Sequence, residues 1–267
     1  MRRRSIPKRS ASNRGPMSLD ANVAGDMGPL GSLKMQFEPV HLNVFLRIPT
    51  REQGKIGSKL REWAESLEPK PGSDITSQLP CEAMCRRRLR ALCATADPAT
   101  AFLAVMAWGG MHRLHAARAW AARDAWLPAV SQIRDAGRTR VEDFAAMHEL
   151  RMAGRLPGVG TAYFTKLLFF MRPEPNAYIL DQWTAKSVNV LTGREVVKVS
   201  RSGWVVPGND SGRYEEFCAI VDHLAERLGC VGEEAEHALV SKGGRKPWEW
   251  RAHVKANWVP TAPGRRR

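Results

Sequence analysis

The 267-residue sequence has few cysteines and no long apolar run. Its five cysteines are an odd number, include no C-x-x-C pair and follow no secretory leader. We therefore expect reduced thiols in a cytosolic compartment and no disulfide framework. No stretch could span a bilayer, so we expect a cytoplasmic protein with no membrane partner. Cys81, Cys85 and Cys93 lie on one predicted helix without a histidine cluster, so we expect no metal and no cofactor.

Acidic residues are outnumbered by basic ones. The chain has 41 Lys and Arg against 27 Asp and Glu, a net charge of +14 and a pI near 10.1. A polyanionic partner is the simplest explanation, and nucleic acid is favoured over a ribosomal or anionic-membrane role. The 43% hydrophobic content is enough for a sizeable core.

Composition divides the chain at about residue 35. Residues 1–35 are rich in Arg, Ser, Gly and Pro, which predicts a disordered basic arm. Residues 36–267 are predicted to form one mainly helical domain with a small β-hairpin over 195–206. The segment around Phe37 to Pro49 could be a strand or irregular. The main predicted helices cover 56–67, 81–95, 99–108, 111–122, 124–135, 141–154, 161–171, 213–228 and 232–240.

A glycine-rich stretch separates two of these helices, at about 141–171. L-P-G-V-G begins at Leu156 and is typical of a tight hairpin between helices, because Gly158 and Gly160 allow backbone geometry that a side chain would forbid. The amide groups at the start of the second helix are predicted to bind an anion through Gly158, Val159, Gly160 and Thr161.

The motif resembles the helix-hairpin-helix element of the helix-hairpin-helix-GPD superfamily of DNA glycosylases. The following run, F-F-M-R-P-x-P-x-A-Y-I-L-D-Q-W-T-A-K-S, is similar to bacterial 8-oxoguanine DNA glycosylase-like proteins. The resemblance is specific over about 147–191. It implies a two-lobed helical fold, a hairpin that holds a DNA phosphate and a catalytic Asp, which here is Asp181.

Asp181 follows the apolar run Tyr178-Ile179-Leu180 at the predicted N-cap of the next helix. Helix N–H groups there favour a negative charge. A carboxylate near the sugar lowers the barrier to breaking an N-glycosidic bond through a cation-like state. The alternative is that Asp181 only caps the helix, but its position after the glycine hairpin favours a catalytic role.

The nucleophile departs from the family pattern. Bifunctional relatives have a Lys two residues after the second Gly of the hairpin, where this chain has Ala162. Lys166 lies one helical turn further, about 6 Å along the axis, and can lean back over Ala162. We expect Lys166 either to attack the sugar as an amine or to bind a phosphate while water attacks. Lys186 is interpreted as a solvated residue or a phosphate contact.

Candidates for the base pocket are Trp108, Gln182 and Trp183. Trp108 precedes a Gly-Gly break, so it could stack on a base or pack in the core. Gln182 could face the flipped nucleotide or the surface. Some relatives carry a four-Cys iron–sulfur cluster after the catalytic helix, where this chain has only Cys218 and Cys230, so we expect none.

Together these features predict a monomeric, nucleoid-associated enzyme that acts on double-stranded DNA. It would excise a damaged or modified base, with or without strand cleavage, and the favoured base is an oxidised purine such as 8-oxoguanine. One alternative is the removal of hypermodified bases from phage DNA in antiviral defence. The other is a noncatalytic DNA clamp, because the same motif also occurs without chemistry.

Overall fold

The computed structural model describes residues 36–50, 54–242 and 249–260, and the predicted arm of residues 1–35 lies outside them. Within these ranges the chain is mainly helical, with thirteen helices and no sheet. In chain order the helices are α1 Pro39–Arg47, α2 Leu60–Glu65, α3 Ser73–Thr76, α4 Arg86–Thr95, α5 Pro98–Trp108, α6 Arg113–Ala121, α7 Arg123–Gln132, α8 Arg140–Met152, α9 Thr161–Met171, α10 Gln182–Thr192, α11 Ser211–Leu228, α12 Gly232–Ser241 and α13 Glu249–Asn257.

Two apolar helices, α5 and α9, lie at the centre of the core. Asp97 caps α5 by accepting hydrogen bonds from Ala99 N (2.9 Å) and Thr100 N (3.0 Å), and Pro98 occupies the first helical position. All residues from Ala99 to Trp108 and from Phe164 to Met171 are buried. Helices that are apolar on all sides can be stable only when they are surrounded, and α4 packs against both of them.

Helix α10 packs against α11, α12 and α13. Trp250 of α13 is fully buried and donates a hydrogen bond from Nε1 to Ser187 Oγ of α10 (2.9 Å). Helix α11 also packs on α8, where the Phe144 and Tyr214 rings stack with centroids 4.3 Å apart. Through α11, the C-terminal helices therefore pack against α8, the helix that precedes the glycine-rich connection.

The segment around Phe37 to Pro49 was predicted to be a strand or irregular, and both alternatives are wrong, because it forms helix α1. Phe45 of α1 is fully buried against Trp250, with ring centroids 4.8 Å apart. The predicted helix 111–122 begins later, at Arg113, because His112 Nδ1 caps it by accepting from Leu114 N (3.3 Å).

The predicted β-hairpin appears only as an isolated antiparallel bridge between Val199 and Val205. Side chains take the place of a longer ladder: Asn209 Oδ1 accepts from Lys198 N (2.8 Å) and its Nδ2 donates to Lys198 O and Val206 O (both 2.9 Å). All buried apolar side chains of the described residues except Ala117 belong to one core cluster. No helix in the described ranges has the length and hydrophobicity needed to cross a bilayer.

Candidate active site

Helix α8 is joined to α9 by residues 153–160. Gly158 has φ +78°, and a Cβ atom built there would lie 2.5 Å from the carbonyl oxygen of His115. Both the backbone conformation and the close approach of α6 therefore require glycine. Gly158 fixes this connection against the core. Val159, which is 1% exposed, packs there too.

Gly160, the second glycine, has a different environment. It is the N-cap residue of α9 with φ −81°, provides no side-chain cap, and has no atom within 4 Å of an added Cβ. Among the described residues, the amide groups of Gly160, Thr161 and Ala162 find no hydrogen-bond acceptor. Unpaired N–H groups at a helix start carry partial positive charge and bind anions such as phosphate.

Asp181 is the N-cap residue of α10. Its Oδ1 accepts hydrogen bonds from Trp183 N (2.7 Å) and Thr184 N (3.1 Å), whereas Oδ2 takes no hydrogen bond from the described residues. Thr165 of α9 accepts from Leu180 N (3.0 Å), which ties the chain just before Asp181 to α9. The carboxylate is therefore held in a fixed position while one oxygen stays available.

Lys166 extends back along α9, as its sequence position predicts. Its Nζ donates to Ala162 O (2.8 Å) and lies 5.1 Å from the centre of the Tyr163 ring, and its side chain packs beside Gly109. Burial lowers the pKa of the Lys166 ammonium, and the negative charges of Asp181 and Glu236 only partly oppose this. The lysine thus lies near Asp181, in an environment that favours the neutral amine.

A buried ion pair that the sequence analysis did not predict lies near this lysine. Glu236 of α12 is fully buried and is paired through both carboxylate oxygens with Arg86 of α4. Burial raises the pKa of Glu236, opposed mainly by the charge and hydrogen bonds of Arg86. The pair joins α4 to α12 beneath the site. The two residues are 150 positions apart, so helical periodicity could not have matched them.

The start of α10 is surrounded by cations. Lys186 Nζ lies 5.1 Å from the centre of the Trp183 ring and 4.7 Å from that of Trp258, and Lys186 is only 8% exposed. The solvated alternative for Lys186 is therefore wrong. From α13, the Arg251 guanidinium and Lys255 Nζ approach the Trp183 ring at 4.8 Å and 5.8 Å. These contacts place several positive charges beside Asp181, where a polyanion would be attracted.

One comparison with known proteins shows which family the chain belongs to. The family model described as "Putative 8-oxoguanine DNA glycosylase OGG-like protein" matches residues 50–240, well over half of the chain. The chain belongs to this OGG-like family. Comparisons with curated proteins and with solved structures gave no match.

The OGG-like match includes the glycine-rich connection, Lys166 and Asp181, but it ends before α13. The matched region therefore excludes three residues that approach Trp183 or Lys186, namely Arg251, Lys255 and Trp258. The last residues of the described chain thus add cations and an aromatic ring beside Trp183 and Lys186, which lie inside the matched region.

Trp108 of this OGG-like chain is 3% exposed. Its Nε1 donates to Met84 O (3.1 Å), and the Phe170 ring packs edge-on against it with centroids 4.8 Å apart. This burial favours the packing alternative, so Trp108 is not part of the pocket proposed below. Gln182 and Trp183 are partly exposed beside Asp181. Among the described residues, no three His, Cys, Asp or Glu side chains are grouped as metal ligands.

Proposed function

We propose that this OGG-like protein is a DNA N-glycosylase that extrudes a damaged base from the duplex and cuts the bond between base and sugar. The observation that carries this proposal is the convergence of three groups. A buried lysine and a carboxylate with one available oxygen lie close enough to interact electrostatically, and the helix that carries the lysine begins with unpaired amide groups. A protein that only clamps DNA needs the amide groups, but it needs neither the buried lysine nor the carboxylate.

In this proposal the amides of Gly160, Thr161 and Ala162 bind a backbone phosphate and fix the position of the strand. The cations around Trp183 attract the DNA and offset its charge. A base buried in the duplex is out of reach, so the target nucleotide must turn outward. Gln182 and Trp183, partly exposed beside Asp181, are the proposed contacts for the extruded base.

Asp181 stabilises the positive charge that develops on the sugar as the base departs. Lys166 attacks as the neutral amine: a bond forms between Nζ and C1′ while the bond from C1′ to the base breaks, Nζ gives up a proton, and the departing base takes up a proton. The sugar then opens to an imine, from which strand cleavage can follow. In the alternative route water attacks C1′ and Asp181 assists it, leaving no covalent adduct.

The proposed substrate is an oxidised purine such as 8-oxoguanine, which is supported by the family match. The test is mass spectrometry of free bases released from three DNA samples: duplex with 8-oxoguanine opposite cytosine, oxidised genomic DNA, and phage DNA with hypermodified bases. We expect 8-oxoguanine from the first two samples. Release of a modified base only from phage DNA would overturn the substrate assignment, and binding without release from any sample would leave a DNA clamp.

A further inference from the structure

The segment between α10 and α11 is rigidly anchored, although it forms no sheet. Asn189 of α10 accepts from Val196 N (3.1 Å) and Val197 N (3.0 Å) through Oδ1 and donates from Nδ2 to Val197 O (2.7 Å). Asn209, which is fully buried, bonds the other end at Lys198 and Val206. The two amide side chains satisfy backbone groups that would otherwise need a second strand.

The tip of this segment lies against the candidate site. Gly203 has φ +89°, and a Cβ atom built on it would lie 2.5 Å from Lys186 Nζ and 3.8 Å from Gln182 Oε1. On the other side, the His148 ring of α8 is hydrogen-bonded to Pro207 O (2.8 Å). The segment therefore contacts two helices: α8, which precedes the glycine-rich connection, and α10, whose N-cap residue is Asp181.

Trp204 follows Gly203 and is 62% exposed. Its backbone is held on both sides, since Ser200 N donates to Trp204 O (2.8 Å) and Trp204 N donates to Ser200 Oγ (3.1 Å). The indole itself has no aromatic or hydrogen-bonding partner among the described residues. The turn therefore presents a flat aromatic face to solvent, and faces of this kind can stack on nucleic-acid bases.

We propose that Trp204 stacks on a DNA base that is left without its stacking neighbour when the target nucleotide turns outward. The inference rests on the proposed function. Three observations carry it: the fixed turn, the exposed indole, and the contact of the adjacent Gly203 with two side chains of the site. The exposed Arg201 on the same turn supplies a cation for the phosphate chain. Aromatic side chains stack on bases of any sequence, and apolar wedges fill steps from which a base has been displaced.

The test compares Trp204→Ala with Trp204→Phe, which keeps a flat ring. Val231→Ala is the matched control, because Val231 is equally exposed, at 63%, but lies at the start of α12. The readout is the affinity for a duplex with a tetrahydrofuran abasic analogue relative to an intact duplex, at one salt concentration. The analogue leaves a base without a stacking neighbour and needs no catalysis.

We expect Trp204→Ala to lose about tenfold or more of the preference for the abasic duplex. Trp204→Phe should keep most of it and Val231→Ala all of it. The same preference in wild type and Trp204→Ala, or no preference in wild type, would overturn the inference. A parallel measurement of 8-oxoguanine release by wild type separates the two hypotheses: if release fails while the Trp204-dependent preference remains, only the proposed function is wrong.

Discussion

Lys166 is a charged side chain that is almost wholly removed from water, at 9% exposure. Burying an ammonium group costs free energy unless nearby charges and hydrogen bonds compensate. Here the pKa of Lys166 is lowered by burial despite the opposing effect of Asp181 and Glu236, so compensation is incomplete. Such a residue reduces stability, and it persists in the fold more readily if it does chemistry.

Borohydride trapping with an 8-oxoguanine duplex tests whether the Lys166 amine attacks the sugar. We expect wild type to form a covalent adduct, Lys166→Met to form none, and Lys186→Met to form it still. The adduct yield should rise with pH and level off below pH 10.5, because the lowered pKa of Lys166 frees the amine earlier. Excision without any adduct in wild type would reject Lys166 as the nucleophile and favour water.

The stability of Lys166→Met shows whether a lost adduct reflects chemistry or misfolding. A folded-state pKa below the unfolded value of 10.5 means that the unfolded chain binds the proton more tightly, so stability rises with pH up to 10.5. At pH values below the folded-state pKa, Lys166 is charged in the folded protein and destabilises it. The variant should therefore have a Tm a few degrees above wild type at neutral pH, with a smaller difference near pH 10.

At the scale of single elements, the start of α9 is the proposed phosphate site. Thr161 is at the first helical position, where proline is tolerated because its missing N–H would have no partner within the helix. Gly160 has φ −81° and ψ 171°, which suits a residue before proline. The site can therefore lose one amide donor without losing the helix.

Thr161→Pro should weaken DNA binding by about 10- to 100-fold, the effect of one N–H bond to a charged acceptor. Thr161→Ala is the matched control, since it loses the same hydroxyl but keeps the N–H. The measurement is Kd across a salt series, with circular dichroism to verify the helix content. If both variants bind DNA equally well, the amide groups of α9 do not hold phosphate.

The sequence predicted elements best where local signals were complete. Asp97-Pro98 marks the start of α5, and the apolar pattern after Gly160 predicts α9 with the bounds that the structure has. The hairpin at 195–206 was predicted from β-branched residues, but Asn189 and Asn209 satisfy much of its backbone. Side-chain bonds of this kind have no periodic pattern, so the sequence could not reveal them.

At the scale of the whole molecule, distant parts of the chain combine at one site. Lys186 is buried because Trp258 and Gly203 cover it, and Glu236 is paired with Arg86, which is 150 residues away. The glycine motif predicts Asp181 and Lys166 as site residues, but it does not predict which distant side chains surround them. Burial and ion pairing depend on the tertiary fold, and a single sequence does not contain those contacts explicitly.

The net charge of +14 attracts DNA whether or not the protein is an enzyme, so binding alone cannot test the account. In the proposed mechanism, catalysis depends on Asp181. Asn caps a helix about as well as Asp, so Asp181→Asn should leave α10 intact while removing the negative charge. Asp210, which caps α11 by accepting from Arg213 N (2.9 Å), provides a matched control for the same change.

The most direct measurement is the single-turnover release of free 8-oxoguanine from a duplex, with the Kd for that duplex determined in parallel. The account predicts that Asp181→Asn binds DNA like wild type but releases base at least 100-fold more slowly, since a preorganised charge contributes on that scale. Asp210→Asn should match wild type in both. Release by Asp181→Asn at the wild-type rate would contradict the central claim that this carboxylate stabilises the sugar as the base departs.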